Sequence, residues 1–202
     1  MDDFLIRESR PEAATKESYT YGDYLSWSDE ERWELIDGFP FRMSAAPSRL
    51  HQAISRELLT QFNFYLKGKP CEVYAAPFDV RLPKGNEAEK EIDSVVQPDL
   101  VVVCDPSKLD ERGCKGAPDL VIEIISTHTA LKDLKIKHSL YERVGVKEYW
   151  LVDPANKIVQ VYELADNSQY GKPRIYADQD RVKVGIFPDF VIELTTIFEN
   201  HF

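Results

Sequence analysis

The chain has no long apolar run, and none of its hydrophobic stretches approaches the ~20 residues of a membrane-spanning helix. It also lacks a basic surplus. The formal net charge is −10, which argues against a binder held to nucleic acid by a basic face alone. An acidic site neutralised by divalent cations is compatible with that charge. Cysteine is scarce: Cys71, Cys104 and Cys114 are odd in number and have no C-x-x-C spacing, which points away from zinc and towards a reduced, cytoplasmic setting. There is no Gly-rich phosphate loop and no solenoid period. The opening "MDDFLIRESR" is acidic and lacks the basic start and apolar core of a secretory leader, so a non-membrane protein is expected.

What is present is an ordinary globular composition, 43% hydrophobic and 30% charged over 202 residues. That length suits one compact domain. Residues 1–18 are polar and patternless and read as an arm; 19–202 read as the domain. Thr20 with Asp23, and Ser28 with Glu31, have capping-box spacing at two helix starts. "WELIDGFPFRMS" predicts a hairpin turning at Asp37-Gly38. Leu50, Ile54, Leu58, Phe62 and Tyr65 recur at helical spacing, predicting an amphipathic helix over 48–67.

Three strands are predicted next, over 71–82, 97–104 and 118–125, with the charged loop "PKGNEAEKEIDS" after the first. A helix over 130–144 should stop at Gly145, and "KEYWLVD" is a fourth strand closed by Pro154. Further strands follow at 157–164 and within 173–198, as a terminal antiparallel layer. The fold class is α/β, a mixed sheet flanked by helices. Its core order is αβββαβ, with an N-terminal hairpin and C-terminal strands added. The three strands form a meander, and the helix before the fourth makes a parallel crossover the natural connection.

The segment "PDLVIEIIST" carries Glu123 inside an apolar strand, where a carboxylate is costly unless paired or metal-bound. If the strands over 97–104 and 118–125 are antiparallel neighbours, Asp99 comes beside Glu123 and Asp119 goes to the other sheet end. Two such carboxylates repel unless a cation or proton lies between them. Mg²⁺, which commonly uses one or two carboxylates plus water, is an economical partner. The helix after Glu123 carries Lys132, Lys135 and Lys137. Lys137 lies four residues after Asp133 and one turn before Tyr141, on one helical face.

Pro98-Asp99, Glu123 and a following lysine resemble the PD-(D/E)XK nuclease superfamily, whose restriction-endonuclease-like core has the order read above. The usual lysine stands two residues after the acid, where this chain has Ile125. The wider set "ERWELIDG", "SRLHQAIS", "QPDLVVVC", "APDLVIEIIST", "KDLKIKHSLYERVGVKEYWLVDP" and "FPDFVIEL" is similar to the Uma-two family of restriction endonucleases. That resemblance implies a Mg²⁺- or Mn²⁺-dependent endonuclease acting on nucleic acid, DNA in the first instance. It implies Asp99, Glu123 and the Ile124 carbonyl as metal ligands, and Lys137 as the displaced catalytic lysine. It also marks Glu34 as an additional catalytic acid.

His51, Lys135 and Tyr141 are the candidate substrate-binding residues, with Lys135 standing in for Lys137 if the helix phase differs. Each has a plainer reading: Asp133–Lys137 as an ordinary helix pair, and His51 as an inward-facing core residue. "PDFVIE" at 188–193 repeats the spacing of "PDLVIE" but has no following lysine helix, so Asp189 and Glu193 read as structural. A homodimer through the apolar C-terminal strands is a further expectation. The alternative function is a catalytically degenerate binding module for nucleic acid or protein, which the Ile125 substitution and acidic surface keep open.

Overall fold

The computed structural model describes residues 16–27, 31–43, 46–126 and 129–198. The arm to residue 15, and Ser28 of the second capping box, lie outside them. At Thr20, the Asp23 carboxylate accepts the Thr20 N–H (3.0 Å), and the short helix α1 (Tyr21–Tyr24) follows. Strands β1 (Trp33–Ile36) and β2 (Phe39–Arg42) then form the hairpin. Asp37 and Gly38 both have positive φ (51° and 79°), the geometry a two-residue turn of this hand requires.

Helix α2 (Arg49–Leu66) is capped by Ser48, whose side chain accepts the His51 N–H. Ile54, Leu58, Phe62 and Leu66 from α2 are buried in the main core. The predicted strand over 71–82 divides. β3 (Glu72–Ala75) joins one sheet and β4 (Val80–Arg81) joins another. Pro77 lies between them and has no N–H with which to continue a ladder. The charged loop holds a 3₁₀ turn, Glu89–Glu91, whose Glu89 pairs with buried Arg81 (2.7 Å). The chain continues through β5 (Val95–Val96), β6 (Leu100–Val103), β7 (Leu109–Asp110), β8 (Gly113–Lys115) and β9 (Leu120–Ile124).

After β9 comes a π-helical turn, Lys132–Lys137, that runs into helix α3 (His138–Val144). Gly145 ends the helix with φ 86°, as its sequence position predicts. β10 (Glu148–Asp153), β11 (Ile158–Glu163), β12 (Arg174–Ala177), β13 (Arg181–Lys183) and β14 (Val191–Glu193) complete the strands. The final segment expected as strand is instead helix α4 (Leu194–Phe198), which packs Leu194, Ile197 and Phe198 into the core. Burying one face of a helix there outweighed the β-branched composition of "TTI".

The central sheet has the order β12-β11-β10-β9-β6-β3. β3, β6 and β9 form the antiparallel meander, and β9 pairs with β10 in parallel across the α3 crossover. The predicted αβββαβ order is therefore α2, β3, β6, β9, α3, β10. The N-terminal hairpin is part of a second sheet ordered β2-β1-β5-β4-β8-β7. One face of the central sheet packs on α2 and α4. The other face packs on α3 and contacts the second sheet through Val101, Val121, Tyr141 and Leu151, together with Ile36, Val80 and Cys114.

One further difference from expectation concerns cysteine. Cys71 and Cys104 are joined by a disulfide, because they flank the paired residues Glu72 and Val103 on antiparallel strands; Cys114 is free and buried. Asp189 accepts from Tyr65 at the surface and Glu193 pairs with Arg181, so both are structural, as read. Among the described residues no helix is long and apolar enough to cross a membrane.

Candidate active site

β6 and β9 are antiparallel with Leu100 opposite Ile122, so the next step along the ladder sets Asp99 beside Glu123. The Ile124 N–H donates to Asp99 Oδ2 at 2.7 Å, which ties the two strand ends together through the carboxylate. Asp119 is at the opposite end, accepting the Cys104 N–H and pairing with Lys147. The placement follows from strand direction, as the sequence led us to expect. Glu123 is 4% exposed.

The positive partner comes from the helical segment. Lys137, 3% exposed, places Nζ 2.8 Å from Glu123 Oε1 and 2.6 Å from Glu34 Oε1, with Asp133 at 3.8 Å. Tyr141 is buried and donates its hydroxyl to the same Glu123 oxygen at 2.8 Å. It therefore supports Glu123 from within the core and presents no surface for substrate. Glu34 arrives from β1 in the second sheet and is wholly buried. Its Oε1 accepts the Gln97 N–H, and its Oε2 pairs with Lys132 at 2.6 Å. Glu34 thus closes the site from the second sheet while Asp99 and Glu123 supply it from the central one.

His51, at the start of α2, lies with Nε2 3.1 Å from Asp99 Oδ2. Its Nδ1 is buried and makes no hydrogen bond. Lys135 is exposed and is not brought into the cluster. Lys132 is, although the sequence reading did not nominate it. Two surface clefts lie around Phe64 and Lys69, towards the far end of α2. Phe64 is about 20 Å along the helix from His51.

The electrostatics divide the acids. Burial pushes Glu34 upward, but Lys132 and Lys137 outweigh it and hold its pKa at about 2. Burial raises Glu123 to about 8; Lys137 opposes this, while Asp133, Asp99 and Glu34 reinforce it. The one lysine cannot offset both carboxyls equally, and Glu34 has the second lysine to itself. Asp133 is also raised, by burial first. Burial alone would discharge Lys137, but Glu123, Glu34 and Asp133 keep it protonated. With all groups ionised and His51 neutral, four carboxylates (Glu34, Asp99, Glu123, Asp133) face two lysines (Lys132, Lys137), a surplus of two negative charges.

A meander with paired acids at one sheet end, a helix delivering lysine and a parallel crossover define the restriction-endonuclease-like fold. The family profile for Uma2, described as "Putative restriction endonuclease", matches residues 21–196, and the chain belongs to that family. Among solved structures it is similar to one described as "a putative nuclease belonging to DUF820" from Anabaena variabilis. The TM-score is 0.71 at 19% identity, covering 91% of this chain and 99% of the other. No curated protein matches the chain.

Proposed function

We propose that the protein is a metal-dependent endonuclease that hydrolyses phosphodiester bonds in DNA, with its reacting centre at Asp99, Glu123 and Lys137. The observation that carries this reading is Lys137 Nζ at 2.8 Å from Glu123 Oε1: the lysine missing at Ile125 is supplied in space by the following helix.

The residues fit a Mg²⁺ or Mn²⁺ ion. Among the described residues no three His, Cys, Asp or Glu side chains converge as a ready-made metal cage. Mg²⁺ does not need one, since it takes one or two carboxylates and keeps several waters. Asp99 and Glu123, with the Ile124 carbonyl, would hold it, and once Glu123 and Asp133 are ionised the local surplus of two negative charges matches one divalent cation. The chemistry such an ion supplies is activation of water and neutralisation of the charge growing on phosphate.

The chain's own groups do the rest. Tyr141 fixes the Glu123 carboxylate in one orientation. Lys137, charged and directed by Glu34 and Glu123, stabilises the pentacovalent phosphorus as water attacks. A P–O bond to the water oxygen forms, the P–O3′ bond breaks, and the products are a 5′-phosphate and a 3′-hydroxyl. The rim of the cluster is Asp99, His51 and Lys132, whose side chains are 21%, 16% and 16% exposed; the substrate phosphate enters there. His51 holds Asp99 at this rim. Both lysines are engaged with acids, so affinity for DNA must come from elsewhere on the chain, including a second copy if the protein dimerises.

Incubation of supercoiled plasmid with Mn²⁺, with and without EDTA, tests the reading. Nicked and linear products bearing 5′-phosphates are expected with metal only. Binding that survives EDTA, with no cleavage of plasmid, branched DNA or RNA under either metal, would overturn it.

A further inference from the structure

The π-helical turn at Lys132–Lys137 has a consequence for the site. In an α-helix, residues five apart point about 140° away from one another, so two such lysines could not reach one carboxylate. A π turn closes its hydrogen bonds at i→i+5, returning the chain to the same side after five residues. The register is visible in the backbone: the His138 N–H donates to the Asp133 carbonyl, five residues earlier. That carbonyl also accepts the Tyr149 hydroxyl at 3.0 Å, which anchors the turn to β10. The result is that Lys132 and Lys137 grip opposite oxygens of Glu34, each at 2.6 Å.

We infer that Lys132 is a positioning residue: it occupies Glu34 Oε2 so that Glu34 Oε1 and Glu123 Oε1 together hold the Lys137 ammonium in one place. Among the described residues no other group bonds to Glu34 Oε2. The Gln97 N–H reaches only Oε1, and Asp133 is a further acid. Without Lys132, Glu34 keeps a single cationic partner and draws Lys137 wholly to itself, away from Glu123. Lys132 sits at the rim with its ammonium already committed, so it acts through Lys137 and not on the phosphate.

This inference rests on the nuclease reading for its effect on rate, but its structural half stands apart from that reading. Two measurements therefore accompany each other on Lys132→Met and Lys132→Arg. The first is ¹H–¹⁵N NMR of the lysine ammonium groups, with the Lys137 signal identified by its loss in Lys137→Met. We expect that signal to shift or broaden in Lys132→Met and to return towards the wild-type position in Lys132→Arg.

The second is steady-state plasmid cleavage with Mn²⁺. We expect kcat to fall about tenfold to a hundredfold in Lys132→Met, the usual cost of misplacing a catalytic group, with KM within about threefold. Arginine should restore most of the rate. An unmoved Lys137 signal in a folded Lys132→Met protein would overturn the inference whether or not the wild type cleaves. A rise in KM at constant kcat would also overturn it, because Lys132 would then be a substrate contact. An inactive wild type with a displaced Lys137 signal would refute the nuclease reading and leave the positioning role supported.

Discussion

Lys137 Nζ lies 2.8 Å from Glu123 Oε1 although fourteen positions separate them in the chain. β9 ends after Glu123, and the helical segment doubles back over the sheet on its way to β10, so the lysine is delivered from above. Lys137→Met keeps the length and removes the charge. It should lower cleavage by about a hundredfold to a thousandfold, as loss of a transition-state donor does. It also leaves buried Glu123 without its cationic partner, while Glu34 keeps Lys132, so urea unfolding should show a loss of about 3–5 kcal/mol.

Metal binding is separable from cleavage. Mn²⁺ should raise the unfolding temperature of the wild type, by the equivalent of about 2.7 kcal/mol at a hundred times its dissociation constant. Asp99→Asn and Glu123→Gln should each abolish that gain, while Lys135→Met, an exposed neighbour outside the cluster, should retain it. Titration calorimetry checks the same ranking directly.

Two acids of the cluster, Glu34 and Glu123, should give stability opposite pH slopes in metal-free protein. Glu34 titrates at about 2 in the fold against an ordinary 4.5. Its depressed value favours the folded state, fully above about pH 4.5, and that contribution disappears as the pH falls to about 2. Glu123 moves the other way, to about 8. Its contribution is full below about pH 4.5 and is lost as the pH rises to about 8. Urea midpoints should therefore fall on both sides of a mildly acidic optimum. Glu123→Gln should flatten the rise-in-pH side and Glu34→Gln the acid side. Because metal competes with the Glu123 proton, Mn²⁺ affinity should increase between about pH 5 and 8.

Much of the site was legible from strand logic. The antiparallel reading of 97–104 and 118–125 was enough to bring Asp99 to Glu123 and send Asp119 away, because pairing direction alone decides which ends meet. Helical spacing set Lys137 and Tyr141 on one face, and the resemblance singled out Lys137. Glu34 rested on resemblance only, since no local signal says that a residue on a separate hairpin will close over the sheet. Lys132 was missed for a definite reason: α-helical phase places it well off the Lys137 face, and the π turn that brings it back leaves no mark in hydrophobic periodicity. The second sheet was hidden too. Its two-residue strands, such as Val80–Arg81 and Val95–Val96, are too short to show alternation. Cys71 and Cys104 could be paired only once β3 and β6 were in register.

The central claim is that Glu123 is buried in an apolar strand because it serves a metal-assisted hydrolytic centre. The most direct test compares wild type and Glu123→Ala, purified identically, for Mn²⁺-dependent cleavage of supercoiled plasmid. The account predicts metal-dependent nicking by the wild type and its loss in the variant, with both proteins folded. Equal cleavage by the two would contradict it and place the activity elsewhere.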